Sequence, residues 1–151
     1  MINVDFSNCL TASETLLIPF HDLDPGGIVW HGRYFKYFDL ARSALLEDIS
    51  YGYEAMKESG YLWPIVDTGV RFLRPLTFNQ QVCVTACLRE WELRLVLDYR
   101  IEDEQGVLCT KARTVQVPLD GKTLDLRLGS PDILIGNVRN RLQDRGINVR
   151  D

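Results

Sequence analysis

Basic charge is scarce in this chain: 17 Lys and Arg stand against 21 Asp and Glu, a formal net charge of -4. A nucleic-acid partner needs a cationic excess to neutralise phosphate, so that class is set aside. Long apolar runs are missing too. No stretch approaches the roughly 20 residues of a membrane-spanning helix, and the opening MINVDFSNCL has no basic region followed by an apolar core. The expectation is a cytoplasmic protein with no membrane span. Cysteine is sparse, with four residues, and Cys83 and Cys87 have no histidine near them to complete a zinc site. They read as reduced, mostly buried thiols. Repeats, low-complexity tracts and linkers are absent, so 151 residues that are 46% hydrophobic predict one domain spanning 1–151.

Histidine is the scarcest chemical group, and its distribution is informative. Both copies fall in one stretch, Phe20 to Tyr34, which reads FHDLDPGGIVWHGRY and also holds Asp22 and Asp24. Upstream, Glu14 to Phe20 has the composition of a first strand, with Pro19 at its end or on a sheet edge. Pro25, Gly26 and Gly27 then require a turn, because glycine adopts positive φ without steric cost. Beyond the turn Tyr34, Phe38, Ala41, Leu45 and Ile49 recur at helical spacing. This predicts a helix from about His31 to Gly52, with Tyr34, Phe35, Tyr37 and Phe38 widening its apolar face. Tyr53 to Ser59 reads as a short second helix stopped by Gly60.

From Trp63 onward the period becomes two. Strands are predicted at Ile65–Leu73, Gln81–Glu90, Glu92–Glu102 and Val107–Leu119, separated by turn residues. In the third, Leu93, Leu95, Leu97, Tyr99 and Ile101 alternate with Glu92, Arg94, Asp98, Arg100 and Glu102, the pattern of a half-solvated antiparallel strand. Ser130 before Pro131 and Asp132 marks the start of a short closing helix, to about Leu142, whose polar end should fray. One strand, one long helix and four antiparallel strands make an α+β arrangement, a sheet curved around a central helix. Its open edges predict a homodimer or a larger assembly.

Several chemistries fit the key stretch poorly. As a calcium loop, Asp22, Asp24 and Gly27 take positions one, three and six, but position twelve is Arg33 where a bidentate Glu is needed. Aspartyl phosphoryl transfer lacks the alternating β-α units and the downstream acids for magnesium. His21, Asp22, Asp24 and His31 match no compact ligand spacing, so no metal is expected.

What fits is the helix start. The first backbone N–H groups of a helix have no intrahelical acceptor and carry the positive end of its dipole, so those of His31 and Gly32 form a ready oxyanion site. Asp24, seven residues before His31, is folded back toward them by the Pro-Gly-Gly turn and could attack, or activate water at, the carbonyl they polarise. Such sparse machinery suits a thioester, whose thiolate leaves without a strong general acid.

The run DLDPGGIVWHGRY, the following FKYFDLARSALLE and the later VRFLRPLTFNQQVCV resemble the hotdog-fold acyl-CoA thioesterases of the 4-hydroxybenzoyl-CoA thioesterase family, over roughly Leu16 to Leu119. The resemblance implies a sheet of about five strands around the long helix, dimers or tetramers with active sites between protomers, and hydrolysis of an acyl-CoA or acyl carrier protein thioester. By matching position Asp24 takes the catalytic carboxylate and His31 the helix-start N–H. The His31 side chain either assists or is a plain helix-start residue. No cofactor is implied, coenzyme A being part of the substrate. Its phosphate contacts stay unassigned, with Arg71, Arg74, Lys111 and Arg113 as the cations near strand ends. Asn79 departs from the acidic or glycine residue usual in that turn.

Beside the resemblance, Asp22 reads as a turn cap, His21 as a surface residue and Tyr34 as core packing. Trp30, Tyr37 and Trp63 are aromatic enough to line an acyl pocket or the core. Two other functions fit the same residues. A hotdog hydratase or dehydratase would release no thiol, and a non-catalytic acyl-thioester-binding module would leave its ligand intact.

Overall fold

The computed structural model describes residues 2–148. Five antiparallel strands form the main sheet: β1 (Thr11–Leu17), β3 (Ile65–Phe72), β4 (Gln81–Glu90), β5 (Leu95–Asp103) and β6 (Leu108–Gln116). Their spatial order is β1-β4-β5-β6-β3, which leaves β1 and β3 as the edges. The helix α1 (Tyr34–Asp48) packs on β1 and β4 and fills the curve of the sheet. This is the hotdog architecture, and it is an α+β fold. Among the described residues no helix is long and apolar enough to cross a membrane.

The helical spacing read from the sequence defines the buried face. Tyr34, Phe38, Ala41, Leu45 and Ile49 are each at most 2% exposed, and Tyr37 is fully buried. They meet the inward set of β4 and β5, namely Val82, Val84, Ala86, Leu88, Leu95, Leu97, Tyr99 and Ile101. Phe35 departs from the expected aromatic face, lying exposed with its edge on Phe38.

α1 is shorter than the predicted span to Gly52. It ends at Asp48 because Ser50 turns to φ 56°, where its N–H bonds Glu47 O at 3.0 Å and Tyr51 N–H bonds Leu46 O at 2.8 Å. Those two bonds are the Schellman closure that glycine usually makes. Gly52 instead precedes α2 (Tyr53–Ser59), which stops at Gly60, φ 77°, as expected. A Cβ at Gly60 would meet nothing within 4 Å, so Gly60→Ala carries only the conformational penalty of the left-handed backbone. A loss of about 1 kcal/mol in urea unfolding is the expected result.

Strand ends also differ from the sequence reading. β1 begins at Thr11 and finishes before Pro19, which has no N–H to continue the pairing with β4. β5 begins at Leu95 rather than Glu92, since Trp91 to Arg94 form the turn tied by the Arg94–Glu90 ion pair at 2.8 Å. The predicted strand to Leu119 is interrupted at Val117-Pro118. Beyond it, β7 (Leu119–Asp120) pairs with β2 (Tyr61–Leu62) in a separate ribbon. Asn79 holds φ 64° in the turn before β4, a conformation asparagine tolerates. At the closing helix α3 (Asp132–Asp144), Ser130 does not cap; its hydroxyl donates to Trp91 O, joining the helix start to the β4–β5 turn.

The alternation along β5 is correct, but its outer face is not solvated. Asp98 is fully buried there, accepting bonds from Arg89 Nε at 2.9 Å and from Arg113 Nε and Nη2 at 2.6 and 2.9 Å. Asn3 to Phe6 close over the same face. Arg89 donates to Asn3 O and Asp5 O, Arg100 to Val4 O, and both guanidiniums stack on the Phe6 ring. The cover comes from a segment about ninety residues away, so alternation within β5 carries no sign of it.

Candidate functional site

The Asp24 loop is a small antiparallel turn. Trp30 N–H bonds Asp22 O at 2.9 Å, Leu23 bridges Val29, and Asp24 N–H bonds Ile28 O at 2.8 Å. Asp24 stands at the tip. Its Oδ1 accepts the Gly26 N–H at 2.8 Å and its carbonyl the Gly27 N–H at 3.0 Å, so the carboxylate helps form the turn that presents it. Gly27 is at φ 83°, where a Cβ would be strained. Asp24 Oδ2 has no hydrogen-bond partner among the described residues. The loop is anchored to the segment after β3 by Val29 N–H to Leu76 O at 2.9 Å and by an Ile28–Thr77 bridge.

The returning side of this turn runs straight into the helix start. His31 to Arg33 form one 3-10 turn before α1, so the α-helix begins three residues later than expected. The first backbone bond of that turn is Arg33 N–H to Trp30 O, at 2.9 Å. The N–H groups of His31 and Gly32 come before it and have no backbone acceptor among the described residues. They are the orphan donors that any helical start leaves. Trp30 covers Gly32 so closely that a Cβ there would lie 2.5 Å from the indole ring. The His31 ring is exposed and lies 5.2 Å from that of Trp30.

Asp22 is where the sequence reading falls short. Its carboxylate does not cap the turn. It is fully buried, accepting Tyr37 O–H at 2.6 Å and Lys36 Nζ at 2.8 Å, with Arg33 Nε and His21 Nε2 each 3.7 Å away. Burial alone would raise its pKa, but the bonds from Lys36 and Tyr37 and the nearby cations outweigh that and hold it below the usual 3.8. The Tyr37 hydroxyl is pushed well up by burial and by the carboxylate it bonds, and so remains a donor. A depressed folded-state pKa contributes stability that is complete above the unfolded value and fades as pH falls through the folded one. The urea midpoint of the wild type should therefore exceed that of Asp22→Asn at pH 6, and the gap should narrow below about pH 3.8. A gap independent of pH would contradict the ion pair. No sequence spacing marks Asp22 over Asp24; its partners Lys36 and Tyr37 lie fourteen and fifteen residues on and meet it only in the folded chain.

The remaining candidates separate. His21 is exposed, as expected, and Tyr34, Tyr37 and Trp63 belong to the core. Trp30 and Ile28 are both exposed, and Phe20 and Phe78 form an exposed edge-to-face pair at 5.7 Å. Arg113 is committed to Asp98 and is not available for phosphate. A cleft of about 710 Å³ lies between α2 and the β2–β7 ribbon, lined by Tyr53, Lys57, Tyr61, Lys122 and Arg127 among others. Neither Asp24 nor His31 lines it, so it is separate from the turn and helix start.

Comparison with known proteins agrees with this fold. A protein of Bacillus subtilis (strain 168) named "Putative acyl-CoA thioesterase YneP" is 27% identical over 125 residues, 80% of this chain and 91% of that one. A DHNA-CoA thioesterase from Staphylococcus aureus superposes with a TM-score of 0.77 at 21% identity, over 92% of this chain and 97% of that chain. A 4-hydroxybenzoyl CoA thioesterase mutant complexed with 4-hydroxybenzoyl CoA gives 0.71 at 21% identity, over 85% and 99%. At those identities the two structures speak for the fold. The family model described as "Thioesterase-like superfamily" matches residues 18–135, from just after β1 into α3, and so contains the Asp24 turn, the helix start and four of the five strands of the main sheet. The chain belongs to the thioesterase-like superfamily.

Proposed function

We propose that this chain hydrolyses an acyl-CoA, or an acyl carrier protein thioester, to a free acid and a thiol. The observation that carries the reading is the turn that holds Asp24 and continues directly into a helix start whose first two N–H groups, those of His31 and Gly32, have no acceptor among the described residues. A thioester carbonyl seated on those donors gains electrostatic stabilisation as negative charge develops on its oxygen. Asp24, whose Oδ2 has no partner among the described residues, attacks the carbonyl carbon or takes a proton from water that does. The His31 side chain, exposed beside Trp30, is placed to contact substrate. The YneP relative supports coenzyme A as the carrier. The carrier is then part of the substrate, and the reaction requires no further cofactor.

The same reading makes the protein a homodimer or homotetramer with sites between protomers. Edge strand β3 offers unpaired backbone groups and exposed Ile65, Val66 and Phe72, followed by exposed Leu73. Pairing with a second copy would cover them. The test of function is a panel of aliphatic and aromatic acyl-CoAs assayed for free thiol. Thiol release with at least one member is expected. A product that is an unsaturated thioester, or a thioester intact after long incubation, would overturn hydrolysis.

A further inference from the structure

We propose that Asp22, acting through Lys36 and Tyr37, is a positioning residue that sets the Asp24 turn against the helix start; the inference rests on the hydrolytic reading above. Asp22 is bonded in two directions. Its carbonyl accepts the Trp30 N–H at 2.9 Å, joining the two sides of the turn at their base. Its carboxylate reaches the first turns of α1, taking Tyr37 O–H on Oδ2 at 2.6 Å and Lys36 Nζ on Oδ1 at 2.8 Å. Lys36 also sits 5.7 Å over the Tyr37 ring, so the three side chains form one unit.

The location of this unit distinguishes it from an ordinary stabilising pair. Asp24 lies two residues beyond Asp22 on the outgoing side, and His31 and Gly32 follow Trp30 on the returning side. The nucleophile or base and the oxyanion donors thus hang from a single joint. A buried ion pair is often no more stabilising than apolar packing that replaces both partners, so stability alone does not account for a carboxylate here. What the carboxylate adds is direction. Two charge-assisted bonds from neighbouring helix positions fix both the tilt and the rotation of the turn relative to α1. A displacement of about 1 Å at the joint would be carried to both reacting groups, a shift worth on the order of 10²-fold in rate.

The experiment uses steady-state kinetics with the most active acyl-CoA, below the melting temperature of every protein compared. Tyr37→Phe and Lys36→Met should each lower kcat, by on the order of 10²-fold, with KM within about threefold of wild type. Lys36→Arg, which restores a cation, should recover most of the loss. Arg141→Ala breaks the Asp48–Arg141 ion pair near the opposite end of α1 and serves as the control: it should lower the melting temperature and leave kcat unchanged. Lys36 is about half-exposed, so its variants fold even if Tyr37→Phe does not. Full kcat in folded Tyr37→Phe and Lys36→Met, beside an inactive Asp24→Asn, would overturn the positioning role alone. A wild-type rate in Asp24→Asn would remove Asp24 from the mechanism and this inference with it, whereas a wild type that releases no thiol from any acyl-CoA would overturn the hydrolytic reading.

Discussion

Asp24→Asn is expected to slow acyl-CoA hydrolysis by on the order of 10²- to 10⁴-fold, the usual contribution of a positioned acid or base. Asparagine has nearly the same shape as aspartate, and its side-chain oxygen can still accept the Gly26 N–H that Asp24 Oδ1 takes at 2.8 Å. The turn should therefore persist. Trp30 N–H to Asp22 O and Val29 N–H to Leu76 O, which anchor it, involve no Asp24 atom. What is lost is the charge on Oδ2, the oxygen without a partner among the described residues. Folding stability should move by no more than about 0.5 kcal/mol, as for a surface change away from the core. Thiol release measured on wild type and variant at equal folded concentration decides the matter. Equal rates would remove Asp24 from the mechanism, and a rate loss matched by unfolding would assign it to the turn alone.

Phe38→Ala should have the largest effect on stability, about 3–5 kcal/mol. Phe38 is 1% exposed and lies between α1 and the sheet, its ring centroid 5.0 Å from that of Tyr99 on β5. Tyr34 and Phe35 flank it at 6.5 and 5.9 Å. Truncation removes an entire ring from the layer where helix and sheet meet. The groups around it cannot easily collapse, because Tyr99 O–H is held by Thr114 Oγ1 at 2.9 Å. Urea unfolding with an unchanged m-value measures the loss directly. Phe35→Ala, on the exposed flank, should cost far less. Comparable losses in the two would mean that the sheet does not enclose the helix as described.

Local patterns were legible where a short-range rule sets the structure. Gly60 stops α2 because only a residue free to take positive φ closes the helix there cheaply, and the core face of α1 follows from a spacing of three and four. The end of α1 was not legible, because Ser50 does what glycine usually does, and a serine in left-handed backbone has no sequence signature. The start of β5 was misplaced for a related reason. Leu93 continues the alternation but falls in the turn, which the Glu90–Arg94 pair closes.

The sequence by itself determined the α+β order of elements, the core-facing positions Tyr34, Phe38, Ala41, Leu45 and Ile49 of α1, and the candidate pair of Asp24 and the His31 helix start, because each depends on groups close together in the chain. Tertiary structure alone decided the roles of the other carboxylates. Asp22 and Asp98 look like solvated or capping residues in a linear reading, and both are fully buried. Their burial is tolerable because Lys36 and Tyr37 in one case, Arg89 and Arg113 in the other, supply charge-assisted bonds that offset desolvation. Those partners lie nine to fifteen residues away in the chain and are brought within bonding distance only by the folded helix and sheet.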